Sequence, residues 1–223
     1  MRYVRGVASA RRSSAKKKPA GRYHHGDLRR ALLDVAGAML EEDGPEAFTM
    51  REAARRVGVD HRAAYRHFED RRALLAVVAE DGYRELVEVI ERELALAAPS
   101  DHGARLGRLA RAYVEFANRR PGRYQVMTGP RVNEDGRFPG VETALADAFH
   151  LVRRELDAGI ATGAFRPVDV TEVVLTLWAG MHGVASLIAM RRLRVRREGF
   201  GDFAERAIGH TVRGLLRDDT ELD

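Results

Sequence analysis

An all-α fold follows from three observations on this 223-residue chain. From Asp27 onward, apolar residues recur at helical spacing in nearly every window. No run alternates apolar and polar residues over five positions, so no sheet is predicted. Gly, Pro and short capping residues stand between the periodic segments, where helices should stop and start. The segment lengths predict an N-terminal three-helix domain followed by a C-terminal helical bundle.

Leu28, Leu32, Val35 and Met39 share one face of the first helix, and Gly44-Pro45 ends it. Thr49 followed by Glu52 reads as a capping box, opening a short second helix that runs to Gly58. Asp60 caps a third helix and Asp70 a fourth, whose Leu75, Val78, Leu86 and Val89 carry it to about Pro99. Such a helix is roughly 40 Å long at about 1.5 Å per residue, which predicts a strut joining two parts. Asp101 caps the next helix, with Leu106, Leu109, Tyr113 and Phe116 on one face, and Pro121 opens a short segment through Met127. TGPRVNEDGRFPG, residues 128–140, is rich in turn residues and is the expected mobile loop. Helices are predicted over about 141–163 and 169–192. The second of these contains TEVVLTLWAGMHGVASLIAM, apolar nearly all round, and must be covered by helices on several sides or by a partner subunit. The last helix, about 202–216, carries Ala207, Gly209 and Gly214, small enough for close helix approach.

The net charge of +5 is unevenly placed. Residues 1–26 hold eight basic side chains (Arg2, Arg5, Arg11, Arg12, Lys16, Lys17, Lys18 and Arg22) and no acid, leaving the remainder slightly acidic. A segment so charged, with Ser, Pro, Ala and Gly between the charges, cannot bury a core; it suits a solvated tail or an arm on nucleic acid equally. With no cysteine there is no disulfide framework or thiolate metal site. No uninterrupted apolar run reaches the roughly 18 residues of a membrane helix, and no secretory signal is visible, so a cytoplasmic protein is expected. Phosphate loops, His-Glu-x-x-His and Gly-x-Ser-x-Gly are missing. His24-His25 has no third ligand nearby. Neither catalysis nor a cofactor is therefore expected.

The second and third helices, separated by the tight Val57-Gly58-Val59 connection, have the proportions of a helix-turn-helix. Ala54 lets the two cross, the glycine makes the turn, and the valines plug the core beneath. The third helix then projects His61, Arg62 and Arg66 outward, with Ala63 and Ala64 expected to keep its surface low enough for a major groove. Arg62 is the first candidate for base reading, since a guanidinium can bond guanine at two points, and His61 is the second. Tyr65 and His67 flank that surface as donors to phosphate, which sets position without reading sequence.

TMREAARRVGVDHRAAYRHFEDRRALL, residues 49–75, preceded by GDLRRALLDVAGAMLEEDGPEAF, resembles the DNA-binding domain of the TetR/AcrR family of transcriptional regulators. The resemblance covers about residues 22–80. It implies an N-terminal helix-turn-helix on an all-helical domain that binds a ligand and dimerises, in a repressor released by a small molecule. It also implies that Thr49 is a phosphate-contacting cap, that Tyr65 and His67 contact phosphate, and that Arg71 takes the place of a phosphate-binding lysine. Asp60 stands where Ser is common and Arg72 where an acid is usual. Trp178-Ala-Gly-Met-His182-Gly183 is similar to the Trp-x-x-x-His-Gly signature of one subclass of the family's C-terminal domains. Trp178 and His182, four apart, share a helix face and with Met181 could line a cavity, as could Tyr113, Phe116, Met127 and Phe149. Plain core packing suits these seven residues equally well.

The expected domains are a disordered basic arm over 1–21, a helix-turn-helix DNA-binding domain over 22–70, a linking helix over 71–98, and a ligand-binding and dimerisation domain over 99–223. The function expected is a homodimeric, sequence-specific regulator of double-stranded DNA, most simply a repressor that a small-molecule effector releases from a pseudo-palindromic operator. A non-specific architectural DNA-binding protein is the alternative.

Overall fold

The computed structural model describes residues 28–129, 132–190, 192 and 199–216. The basic arm and His24-His25 lie outside them. The described residues form nine helices: α1 Leu28–Asp43, α2 Met50–Val57, α3 His61–Tyr65, α4 Arg71–Leu94, α5 His102–Arg119, α6 Pro121–Thr128, α7 Pro139–Ala161, α8 Val170–Ala189 and α9 Phe200–Arg213. They contain no strand, only a single antiparallel bridge between Phe165 and Leu216.

The first three helices make a small head around Leu32, Ala36, Met39, Phe48, Ala53, Ala54, Ala64 and Phe68, all buried. Helix α4 leaves the head as the predicted strut, packing against α5, α6 and α7. It stops at Leu94, short of the expected 98, because the chain tightens: Leu96 donates to the Glu93 carbonyl (3.1 Å) and Ala97 to the Leu94 carbonyl (3.2 Å). Its 24 residues span about 36 Å.

In the bundle, α5 and α9 pack along each other most extensively, with α7 and α8 closing the other sides of α5. The close approach of α9 uses Gly201, where a Cβ would stand 2.3 Å from Glu115 Oε1, and not Gly209 or Gly214. A buried ion pair crosses the bundle. Arg105 donates to both Glu155 oxygens (2.6 and 2.9 Å) and to the Leu94 carbonyl (2.9 Å), joining α5, α7 and the end of α4.

Among the described residues helix α8 is covered on one side only: Val174, Leu177, Met181, Ala185 and Ile188 face inward, while Leu175, Ala179, Leu187 and Met190 are exposed along one side, which leaves the second of the two expectations, cover by a partner subunit, for that side. By length and composition it could cross a membrane, but Glu172, Thr176, His182 and Ser186 interrupt it and its inner face packs in the bundle.

Two joints tie head to bundle. At the first, α6 lacks a side-chain cap of its own, and the Glu41 carboxylate at the end of α1 accepts its Gly122 and Arg123 amides at 3.0 and 3.1 Å. Only glycine fits there, since a Cβ on Gly122 would stand 2.0 Å from the Leu40 carbonyl oxygen. The second joint is the stretch expected to be mobile. Its described residues 132–138 are instead tied to α4: Arg72 donates to the Val132 carbonyl (3.1 and 3.0 Å) and Asp135 (2.7 Å), and Arg137 donates to Asp70 (2.8 Å) and Glu69 (2.5 Å). Phe138 lies under both guanidinium groups, at 5.7 and 4.9 Å.

Candidate nucleic-acid interface and internal cavity

Thr49 holds an extended backbone (φ −134°, ψ 145°) and its Oγ1 accepts the Glu52 amide at 3.2 Å, capping α2. The expected capping box is only half made. Glu52 turns its carboxylate instead to Arg55 (2.7 and 2.6 Å) and Arg56 (3.2 Å), whose hydrogen bonds pull its pKa down to about 2. Arg56 also reaches Glu42 (2.5 Å), so this cluster fixes α2 on the end of α1. Gly58 then turns the chain at φ +84°, a left-handed conformation natural to glycine, and returns its amide to the Ala54 and Arg55 carbonyls.

Asp60 Oδ1 accepts the Arg62 amide at 2.8 Å and starts α3. That helix is five residues long, one turn and a half, and this decides which side chains point outward. His61, Arg62 and Tyr65 fall on one side, with Arg66 beside them, and all four are exposed, Tyr65 to 49%. Ala63 and Ala64 fall on the other side and are buried against the head's core. The alanines therefore do not lower the outer surface; they let α3 sit close on the helices behind it. His67 is half-buried at the edge of this surface.

Arg71, exposed at the start of α4, donates through Nε to the Phe48 carbonyl (3.1 Å) and through Nη2 to the Pro45 carbonyl (2.5 Å), which holds the turn that delivers Thr49. Two residues that sequence reasoning passed over, Arg51 and Arg55, are exposed on α2 and line one groove with Thr49, Asp60 and His61. Their i, i+4 spacing opposite buried Ala53 and Ala54 was the available signal.

The bundle holds a two-part cavity bounded by α4, α7 and α8. An outer chamber of about 310 Å³ is lined by Tyr83, Met127, Asn133, Glu142, Leu145, Trp178 and His182, among others. Tyr83, Leu145 and Trp178 also border a narrow inner cleft of about 20 Å³, walled by Tyr113, Phe149 and Met181. Six of the seven expected pocket residues thus meet at the cavity. Phe116 does not; it is 3% exposed and lines neither part.

The Trp178 and His182 rings stack at 4.9 Å and 11°, as their spacing on one helix face allows, and Phe149 lies against the indole at 5.4 Å. His182 Nδ1 is 2.8 Å from the Tyr124 hydroxyl and its Nε2 is 3.3 Å from Ser186 Oγ. The Tyr124 hydroxyl is in turn 3.3 Å from that of Tyr113. Burial lowers the imidazole's pKa and raises those of both phenols, keeping the cluster neutral. A neutral ring can accept from Tyr124 and donate to Ser186, which satisfies both nitrogens. Tyr124, and Tyr83 with its hydroxyl donating to the Met127 carbonyl at 2.8 Å, were not foreseen.

Residues 32–78 match the family model of bacterial regulatory proteins of the tetR family, and residues 106–211 match the tetracyclin repressor-like C-terminal domain. Over 142 residues the chain is 27% identical to an HTH-type transcriptional regulator of Mycobacterium tuberculosis, a match that covers 62% of this chain and 59% of that relative. Among solved structures, a protein of unknown function from Rhodococcus sp. RHA1 is 32% identical, with a TM-score of 0.73 over 89% of this chain and all of its own. The TetR family transcriptional regulator PfmR from Thermus thermophilus, 21% identical, has the same fold, with a TM-score of 0.62 over 85% of this chain and 97% of its own. With one of these models matching the head and the other the bundle, the chain belongs to the TetR family of DNA-binding transcriptional regulators.

Proposed function

We propose that the protein is a cytoplasmic, homodimeric repressor that binds a pseudo-palindromic operator and is released from it by a small molecule held in the bundle. The observation that carries this reading is the common exposed surface of His61, Arg62, Tyr65 and Arg66 on a helix capped at Asp60 and seated through Ala63 and Ala64. Arg62 and His61 read base edges there, while Thr49, Tyr65 and His67 contact phosphate. Arg71, exposed at the start of α4, adds a further phosphate contact while it holds the turn before Thr49. The apolar side of α8 that the described residues leave exposed supports a two-fold interface, in which α8 and α9 from each subunit form a four-helix contact.

Coupling follows from the two joints. Val132 and Asn133 line the outer chamber while the Val132 carbonyl is held by Arg72 on α4, so a molecule in the chamber presses on the segment that holds the start of α4. The effector shifts the spacing of the two heads only by as much as it binds one arrangement better than the other.

The test is selection of genomic DNA fragments by the full chain at physiological salt, followed by sequencing, since salt suppresses binding by the basic arm alone. A two-fold-symmetric site with half-sites about 34 Å apart, or a multiple of that, is expected. Uniform recovery without a motif would overturn sequence-specific repression.

A further inference from the structure

We propose that Glu52 is a positioning residue for DNA binding: it holds the Arg55 guanidinium at the groove beside Thr49, where Arg55 takes a backbone phosphate. This rests on reading the outward side of α2 and α3 as the DNA face, and it adds to that face a contact from α2 together with the carboxylate that sets it.

An acid is unfavourable on a surface that meets a polyanion, so a carboxylate beside Arg51, Arg55 and His61 needs a compensating role. Capping is not that role. The α2 cap joins the Thr49 hydroxyl to the main-chain amide of residue 52, which any residue but proline supplies. The Glu52 side chain goes instead to two arginines, three and four positions along the helix.

Those arginines are placed differently. Arg56 is turned inward, its side chain 29% exposed, and also reaches Glu42 (2.5 Å) and Asp43 (3.5 Å) at the end of α1. Arg55 is turned outward, its side chain 72% exposed, and is met by both Glu52 oxygens, through Nε at 2.7 Å and Nη2 at 2.6 Å. Hydrogen bonds from Arg55 first and then from Arg56 hold the Glu52 pKa at about 2, so the clamp is charged at neutral pH. Contacts thus run from the end of α1 through Arg56 and Glu52 to Arg55. An exposed arginine loses rotamer freedom when it binds, and one already held loses less.

The bidentate bond takes the Nε–Nη2 edge of the guanidinium, so the Nη1 edge serves an acceptor other than Glu52. The groove that Arg55 borders has a volume of about 390 Å³ and is shared with Thr49, Arg51, Asp60 and His61. It lies at the amide end of α2, which favours an anion, and the first helix of a helix-turn-helix crosses the DNA backbone.

The test is fluorescence anisotropy of a labelled mixed-sequence duplex of about 30 base pairs, three helical turns, titrated with the full-length protein at several salt concentrations. Arg55→Ala should weaken binding and lower the salt slope by about one, the loss of one phosphate contact. Removing the Glu52 charge would by itself tighten binding to a polyanion; loss of positioning should instead make Glu52→Ala about three- to tenfold weaker. In the Arg55→Ala background the same change should no longer weaken binding. Equal weakening in both backgrounds would mean that Glu52 acts through the folding of α2, and native or tighter binding by Glu52→Ala that it only opposes DNA; either result overturns the proposal. Native affinity and slope in Arg55→Ala overturn it too. The DNA face then stands if Tyr65→Phe still weakens binding to the same duplex, and falls with the proposal if it does not.

Discussion

The head and the bundle place their charge on opposite sides of the protein's skin. In the head the core is apolar throughout, and Arg51, Arg55, His61, Arg62 and Arg66 stand outside. In the bundle the pattern is partly reversed: Arg105 and Glu155 pair inside, Tyr113, Tyr124, His182 and Ser186 form an internal polar cluster, and Leu175, Leu187 and Met190 are left outside. Each arrangement suits the partner proposed for it. A polyanion would be met at the surface by donors on a stiff support, whereas a second subunit would need an apolar face and a small molecule a lined space between helices.

The largest effect expected comes from the bundle's internal charge. Removing one member of a buried pair strands the other, at a cost of about 3–5 kcal/mol, so Glu155→Ala should lower the urea midpoint steeply. An unchanged midpoint would mean that Arg105 finds water instead. Burial alone would raise the Glu155 pKa, but Arg105 outweighs it and the net shift is downward. A carboxylate depressed on folding contributes fully above its unfolded pKa, about 4.3, and loses that contribution as pH falls through the lower folded value. Acid should therefore weaken the native protein over that window more than it weakens Glu155→Gln.

In the head, the same logic predicts large effects on binding and small ones on folding. Arg62→Ala should cost about 1–3 kcal/mol at the cognate site and relax preference at one position per half-site. Unaltered specificity in a binding-site selection would take base reading away from Arg62. Tyr65→Phe and His67→Ala should instead weaken all sequences by similar factors, and a changed base preference in either would contradict phosphate contact. Smaller again is Thr49→Ala, which loses the α2 cap and about 1 kcal/mol of stability, measurable as a shift in thermal midpoint.

These two regions were unequally legible in the sequence. Helix caps and turns are local, so Thr49, Gly58, Asp60, Asp70, Asp101 and the breaks at Gly44-Pro45 and Pro121 could be read from neighbours alone. Which way a short helix faces is not local: Ala63 and Ala64 turned inward because α3 is only five residues long and must seat on the helices behind it. The cavity was half legible. Trp178 and His182 came from the resemblance of their motif to a family signature, to which their spacing on one helix added, but Tyr83, Tyr124, Asn133 and Glu142 reach the site from α4, α6, the strap and α7, and no periodicity relates them. Polar turn composition suggested a mobile stretch at 128–140, yet the charges within it find partners more than 60 positions away in sequence.

That strap supplies the sharpest test of how the two regions communicate. Asp70 caps α4 by accepting the Ala73 amide at 2.7 Å, and its other oxygen accepts from Arg137. The first of these contacts and then the second lower the Asp70 pKa, so the cap and the strap share one carboxylate. Both Arg137 ion pairs lie at the surface, so Arg137→Ala should leave global unfolding almost unchanged. Its effect should appear locally, as faster amide hydrogen exchange in the first turn of α4 with α5 and α9 unaffected, because only that turn loses a tether. If exchange there is unaltered, Arg137 is not what holds the head, and the Arg72 hold on the strap with Glu41 at the start of α6 are left as the ties that carry the signal. If it accelerates, the path from chamber to DNA runs through residues 132–138, and the response to a bound effector should weaken in the same variant.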